Sequence, residues 1–355
     1  MTINQKLKFI PGLWFVLPVL LICFSTPVSA QKKPVDPSVL KVKKYKLIPK
    51  DQAADEISLP FGKINIIDSR FDTSKIGFHY VLNDNLFFDD RSFKMQLIPG
   101  CGEAIRSFYE KYYEKNFTKN EYSLLIVFKR LWMSPSVYSV PQVRMKAEIY
   151  LEKAGGFLPV KKIDTVYDKS VDMENGVYET NRETGIPYLT YLLKKIVEGL
   201  NLNSAIKVFD SRQKKSMEEI QAYNERRFNL PILKDSIIQS GIFYDFESFK
   251  NNKPGGPSFT IEKAEKGITR LYEKKGNDSV LVTKFFALYD GKRLLFGKPD
   301  DLMQAVKTGH SFEYFFKSRR LSNNINNVAG VNFQGAIESK VWLPVQLDME
   351  TGESY

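Results

Sequence analysis

A chain of 355 residues is longer than one ordinary core holds, and its 43% hydrophobic content is that of a globular protein. A formal charge of +11 points to anionic neighbours, while a cysteine count of two excludes a disulfide framework.

The first thirty residues read as a unit. Lys6 and Lys8 precede an uncharged run from Phe9 to Phe24, and Val28-Ser29-Ala30 supplies small residues before Gln31. A positive n-region, an apolar h-region and an A-x-A-like site predict a secretory signal peptide over 1–30, cleaved after Ala30. The run is short for a bilayer and is interrupted by Pro11, Gly12 and Pro18. The expected product is exported, periplasmic or extracellular, without a transmembrane segment, and carries +9 once Lys6 and Lys8 are gone. Export argues against nucleic acid and leaves an envelope protein, or anionic glycolipid or polysaccharide, as the expected partner. Cys23 leaves with the signal, so Cys101 stands alone. Ile22 occupies the position where a lipobox needs a small residue, which predicts a soluble chain rather than a lipoprotein.

Seven lysines against Asp36 crowd residues 31–50. They predict a solvated basic linker, or an arm that leans on an anionic surface. Ile64 and Ile66 alternate with polar neighbours as a strand ending at Asp68-Ser69-Arg70. Ile105, Phe108, Tyr109, Tyr112 and Tyr113 recur at helical steps after the turn Pro99-Gly100-Cys101-Gly102. Leu124 to Trp132 reads as a buried strand. Val143, Met145, Ala147, Ile149 and Leu151 mark a half-buried one, which Gly155-Gly156 turns into a returning strand at Leu158 to Val166. Leu189, Leu192, Leu193, Ile196, Val197 and Leu200 form a second apolar helical stripe after Pro187.

The order strand, helix, three strands, helix predicts an α+β layer, a sheet covered by two helices. Residues 204–231 are charge-rich and read as a polar helix or linker ending at Pro231. The remainder is predicted β-rich, with turns at Gly276-Asn277-Asp278 and Asp290-Gly291 and strands at Phe312 to Phe316 and Val341 to Leu347. The expected layout is signal 1–30, basic linker 31–58, α+β domain 59–203, polar connector 204–231 and β-rich domain 232–355.

The segment Asp68-Ser69-Arg70-Phe71-Asp72-Thr73-Ser74-Lys75-Ile76-Gly77-Phe78 resembles the opening of bacterial envelope auxiliary lipoproteins of the ABC-transport-auxiliary type. These carry an Asp-x-Arg segment and an Ile-Gly in a similar α+β order. The resemblance covers about Phe61 to Leu202, and the missing lipobox departs from it. The second half, with Gly241-Ile242-Phe243-Tyr244-Asp245-Phe246, Tyr289-Asp290-Gly291-Lys292 and Leu347-Asp348-Met349-Glu350-Thr351-Gly352, is similar to uncharacterised secreted proteins of Bacteroidetes-type bacteria. That similarity implies a compartment and no activity.

Cys101 precedes a helix, where a thiol can be activated, but His79 and His310 lie in no motif that pairs with it. A residue packed into a tight turn is the plainer reading. One cysteine and two histidines so spaced carry no metal signature. The acids Asp84, Asp89 and Asp90 lack the central glycine of a calcium loop. No phosphate loop, dinucleotide fingerprint or nucleophile elbow appears, so no catalytic residue and no cofactor is assigned.

The constellation with most promise is Asp68, Arg70 and Asp72. On a continuing strand the three would share one face, as a binding site or as a structural ion pair. Tyr109, Tyr112 and Tyr113 would be core residues, or stacking faces for a sugar. The expected function is a secreted or periplasmic envelope binding or assembly module without catalytic activity. The alternative is a periplasmic hydrolase acting on cell-wall or exogenous polysaccharide.

Overall fold

The computed structural model describes residues 37–47, 58–81, 91–134, 142–167, 186–263, 269–328 and 331–355, with backbone alone at 80–81, 91, 263, 300 and 317–341. The expected signal segment with its expected cleavage site, and the acids between Asn83 and Asp90, lie outside the described residues. From Pro34 to Tyr355 the chain forms one compact unit of mixed α+β fold.

The first half contains β1 (Val42–Tyr45), β2 (Ile64–Asp68), β3 (Gly77–Val81), β4 (Arg91–Leu97), α1 (Cys101–Tyr112), β5 (Ser123–Ser134), β6 (Gln142–Lys153), β7 (Gly156–Tyr167) and α2 (Ile186–Glu198). Its strands make one seven-stranded sheet in the order β1-β4-β3-β5-β6-β7, with β2 also on β5. Three of these strands were not anticipated. β1 falls in the segment expected to be a basic linker, and it pairs in parallel with β4. β3 and β4 flank the undescribed acidic segment and pair antiparallel.

Alternation along β5 and β6 sends Leu124, Ile126, Phe128, Val143, Met145, Ala147 and Ile149 to one face. There they meet Ile105, Phe108 and Tyr109 of α1 and Leu189, Leu193 and Ile196 of α2 in a single core. The tyrosines of α1 belong to it. Tyr109 and Tyr113 are fully buried, and their hydroxyls donate to the Leu193 and Lys194 carbonyls of α2 at 2.9 and 3.4 Å. They pin the two helices together and leave no stacking face.

The connector is helical: α3 (Leu202–Val208), α4 (Met217–Arg227) and α5 (Pro231–Lys234). Ser216 opens α4 through a reciprocal capping box with Glu219. Then come β8 (Gly241–Phe243), α6 (Phe246–Lys250), β9 (Phe259–Lys263), β10 (Thr269–Lys275), β11 (Asp278–Val282), β12 (Ala287–Tyr289), β13 (Leu294–Phe296), β14 (Met303–Thr308), β15 (Ser311–Val328) and β16 (Val331–Gln346). They form a three-stranded sheet, β11-β10-β9, and a six-stranded one, β16-β15-β14-β13-β12-β8.

Residues 278–289, between the expected turns at Gly276-Asn277 and Asp290-Gly291, make two strands rather than one. One strand ends at Val282 and the next begins at Ala287, and the two join different sheets, although Val282 and Leu288 share a core. The hairpin at Asp290-Gly291 forms as expected, with Arg293 N–H donating to Asp290 Oδ1 at 2.6 Å. No described helix is long and apolar enough to cross a membrane.

The edge of β5 has an unusual occupancy. β2 covers Leu124–Phe128, whereas β3 touches the same edge only where Gly77 faces Met133. Gly77 has φ +143°, and a Cβ there would lie 2.0 Å from the Met133 carbonyl oxygen. Only glycine lets β3 approach. Gly77→Ala is expected to cost about 3 kcal/mol or more in urea unfolding. Gly100→Ala, in extended backbone with open space around it, should stay within about 1 kcal/mol of the parent.

Candidate functional site

Between β2 and β3 the chain crosses from one occupant of the β5 edge to the next, and residues 69–76 form that crossing. β2 ends at Asp68, so Arg70 and Asp72 lie beyond the strand instead of sharing its face. Arg70 folds back on Asp68 in a bidentate pair, with Nε to Oδ1 and Nη2 to Oδ2 both at 2.7 Å. Its Nη1 donates to the carbonyls of Lys75 at 2.5 Å and Leu131 at 3.5 Å, and Nη2 to that of Thr73 at 3.4 Å. The guanidinium thus serves carbonyls that a continuous strand would have paired.

Asp72 turns the other way. Its Oδ1 accepts from Ser74 N–H at 2.8 Å and Ser74 Oγ at 2.6 Å, while Oδ2 holds Lys75 and accepts from Gln346 Nε2 at 3.1 Å. Burial alone would raise this carboxyl, but Lys75 and the two Ser74 bonds outweigh it and hold it below its ordinary value. Lys75 also pairs with the fully buried Glu313, which Lys94 approaches at 3.9 Å. Of the three expected site residues only Asp68 reaches solvent appreciably, with 16% of its side chain exposed against 4% for Arg70 and 2% for Asp72.

Above them lies a cleft of about 520 Å³. Its floor is Ile67–Ser74, one wall is Ile220, Gln221, Asn224, Glu225 and Phe228, and the other is the turn Thr308–His310. Phe71 meets Phe228 edge-on at 5.2 Å, and Phe228 stacks on His310 at 4.8 Å. His310 N–H donates to the Phe71 carbonyl at 2.8 Å, tying the β14–β15 turn to the crossing. Asn224 is 5% exposed; its Nδ2 donates to the Ile220 carbonyl at 2.8 Å, and its Oδ1 has no partner.

The wall residues carried no sequence signal, because α4 reads as a solvated charged connector. Ile220 within it and Phe228 just after it sit too far apart among charges to mark a stripe.

A second set of charges lies beside the cleft, on the sheet face opposite α1 and α2. Arg227 donates to the Ser69 carbonyl at 2.8 Å and the Lys129 carbonyl at 3.3 Å, and it pairs with Glu350. Lys146 also holds Glu350, and Arg130 holds Asp348. Burial would raise Glu350, yet Lys146 and Arg227 depress it.

Cys101 is buried at the start of α1, and burial pushes its thiol up to about 12 despite the nearby Arg70. His79 bonds Tyr45 at 2.8 Å through Nδ1, and burial with Lys43 nearby lowers its pKa. Among the described residues, no three His, Cys, Asp or Glu side chains converge on a metal position.

Removing Lys75 strands two buried carboxylates, so Lys75→Met is expected to cost about 3–5 kcal/mol at neutral pH in denaturant titration. Asp72 and Glu350 have depressed folded-state values. Their contribution is present above the unfolded carboxylate range near pH 4 and is lost as pH falls through the folded values. Glu350→Gln should therefore start less stable and show a flatter acid limb below about pH 4. In a Cys23→Ser background, Cys101 should resist a thiol reagent at neutral pH and react fully once urea unfolds the chain.

No family model and no curated protein matches this chain. Among solved structures, a Xanthomonas campestris protein of the family DUF330 is matched at 10% identity and TM-score 0.31, over 48% of this chain and all of that one. An uncharacterised protein is matched at 8% identity and TM-score 0.27, over 45% of this chain and 95% of that one.

Proposed function

We propose that this protein is an exported binding or assembly module of the cell envelope rather than an enzyme, and that the cleft over Asp68, Arg70 and Asp72 is its recognition surface. One observation carries this reading: the charged groups under the cleft are consumed by partners within the fold. Asp68 is held by Arg70 and Asp72 by Lys75. A general acid needs a carboxyl raised toward the working pH, whereas the Asp72 carboxyl is depressed. What remains to meet a ligand is the outer edge of Asp68, the Phe228–His310 stack, Gln221 and Glu225. Aromatic faces and amide groups over a rigid floor suit binding.

Crosslinking in the native envelope tests the reading. A photoreactive residue in place of Gln221 is expected to trap a partner, and the same probe at Lys274, exposed on β10, is expected to trap less. Recovery of the protein always alone from both positions would sink the proposal. Polysaccharide cleavage lost in Asp68→Asn would favour the hydrolase instead.

A further inference from the structure

Edge strand β1 presents a surface distinct from the cleft. Lys41, Lys43, Lys44 and Lys46 are all exposed, and among the described residues none of the four meets a carboxylate. Lys43 lies over the rings of Tyr45 and Phe93 at 5.9 and 5.8 Å, contacts that bring it no formal negative charge. The neighbouring strand adds no acid: neither 41–47 nor 91–97 contains Asp or Glu. β1 is paired on one edge only, so its outer backbone groups are free of the sheet, while its side chains alternate, Val42 and Lys44 to one face and Lys43 and Tyr45 to the other. Beside the lysines, Val39 is 77% and Val42 53% exposed.

Lysines on an edge strand discourage strand-to-strand aggregation. That role does not account for two exposed valines within the same few residues. Uncompensated cations beside exposed apolar side chains are the pattern of a segment that rests on an anionic bilayer, with ammonium groups at the headgroups and apolar groups at the acyl boundary. We infer that β1 is a contact for an anionic lipid surface. The inference rests on the envelope reading for where such a surface is met. A hydrated polysaccharide would engage the lysines and leave Val39 and Val42 without a role, so lipid is the occupant.

The test is co-sedimentation of the full chain with phosphatidylcholine vesicles, with and without phosphatidylglycerol, at low and at raised salt. The quantity read is the ratio of anionic to neutral binding, which cancels any contribution of the apolar residues 9–24. The wild type is expected to prefer anionic vesicles, and raised salt should weaken the preference. Replacing Lys41, Lys43, Lys44 and Lys46 together by Gln should cut that ratio at least about tenfold, against an upper bound of about a thousandfold for four lysines. The four side chains are exposed, so circular dichroism should be unchanged. Val39→Ser with Val42→Ser should weaken anionic binding about threefold.

A wild type without anionic preference, or a preference that survives the lysine variant, overturns the inference. So does retention on an anionic polysaccharide through these lysines without vesicle binding. Partner capture at Gln221 is read on protein complexes, so the two proposals fail separately.

Discussion

The molecule depends on how one edge of β5 is finished. Two strands, β2 and β3, share that edge without meeting, and β5 itself bulges between Phe128 and Arg130. Bulge and gap together expose backbone carbonyls in the middle of a sheet. A buried carbonyl without a donor costs about 1–3 kcal/mol, so the gap must be sealed. Two arginines do it. Arg70 reaches the Leu131 and Lys75 carbonyls, and Arg227 reaches those of Ser69 and Lys129. Asp68 and Glu350 then fix the two guanidiniums in place. The planar fork of arginine suits the task, because one side chain serves several acceptors at fixed angles.

The same seal joins the two halves of the sequence. Arg227 arrives from α4, Glu350 from the turn after β16, and Gln346 and Glu313 from the strands of the second large sheet. Buried ion pairs of this kind add little net stability over apolar packing, because desolvation offsets much of the attraction. Their effect is on geometry: a displaced partner leaves a bare buried charge, so the second sheet has one low-energy seat on the first. Apolar contacts at the seal, Phe71 on Phe228 and Phe228 on His310, fill the space between the charges. Rigidity of the cleft floor follows from both.

Local periodicity made the α+β class, both long helices and the β5–β7 meander legible from sequence. Where burial is one-sided, alternation or a helical stripe reports it directly, as at Val143–Leu151 and Leu189–Leu200. β1 escaped notice because a lysine-rich edge strand buries almost nothing. β3 escaped because a five-residue strand built around Gly77 carries no pattern. The break after Val282 was hidden because both flanking strands are apolar, and no local signal says that they join different sheets. The Asp68-Arg70-Asp72 cluster was visible as charged residues at regular steps. Its role was not, since the carbonyls of Leu131 and Lys75 and the partners Glu313 and Gln346 are set by tertiary contact.

Sequence distance gives the clamp over the first sheet a temporal side. Arg130 waits for Asp348 across 218 residues, and Lys146 waits for Glu350 across 204. Contacts of such separation close late, because a long loop must be ordered before they form. Until then the first sheet has one finished face under its helices and one face bearing Arg130, Arg144 and Lys146 with no acid opposite from the tail. Asp164 of β7, 3.8 Å from Arg130 and 3.9 Å from Lys146, is the local acid those cations have meanwhile, and the tail then brings each a closer one in Asp348 and Glu350.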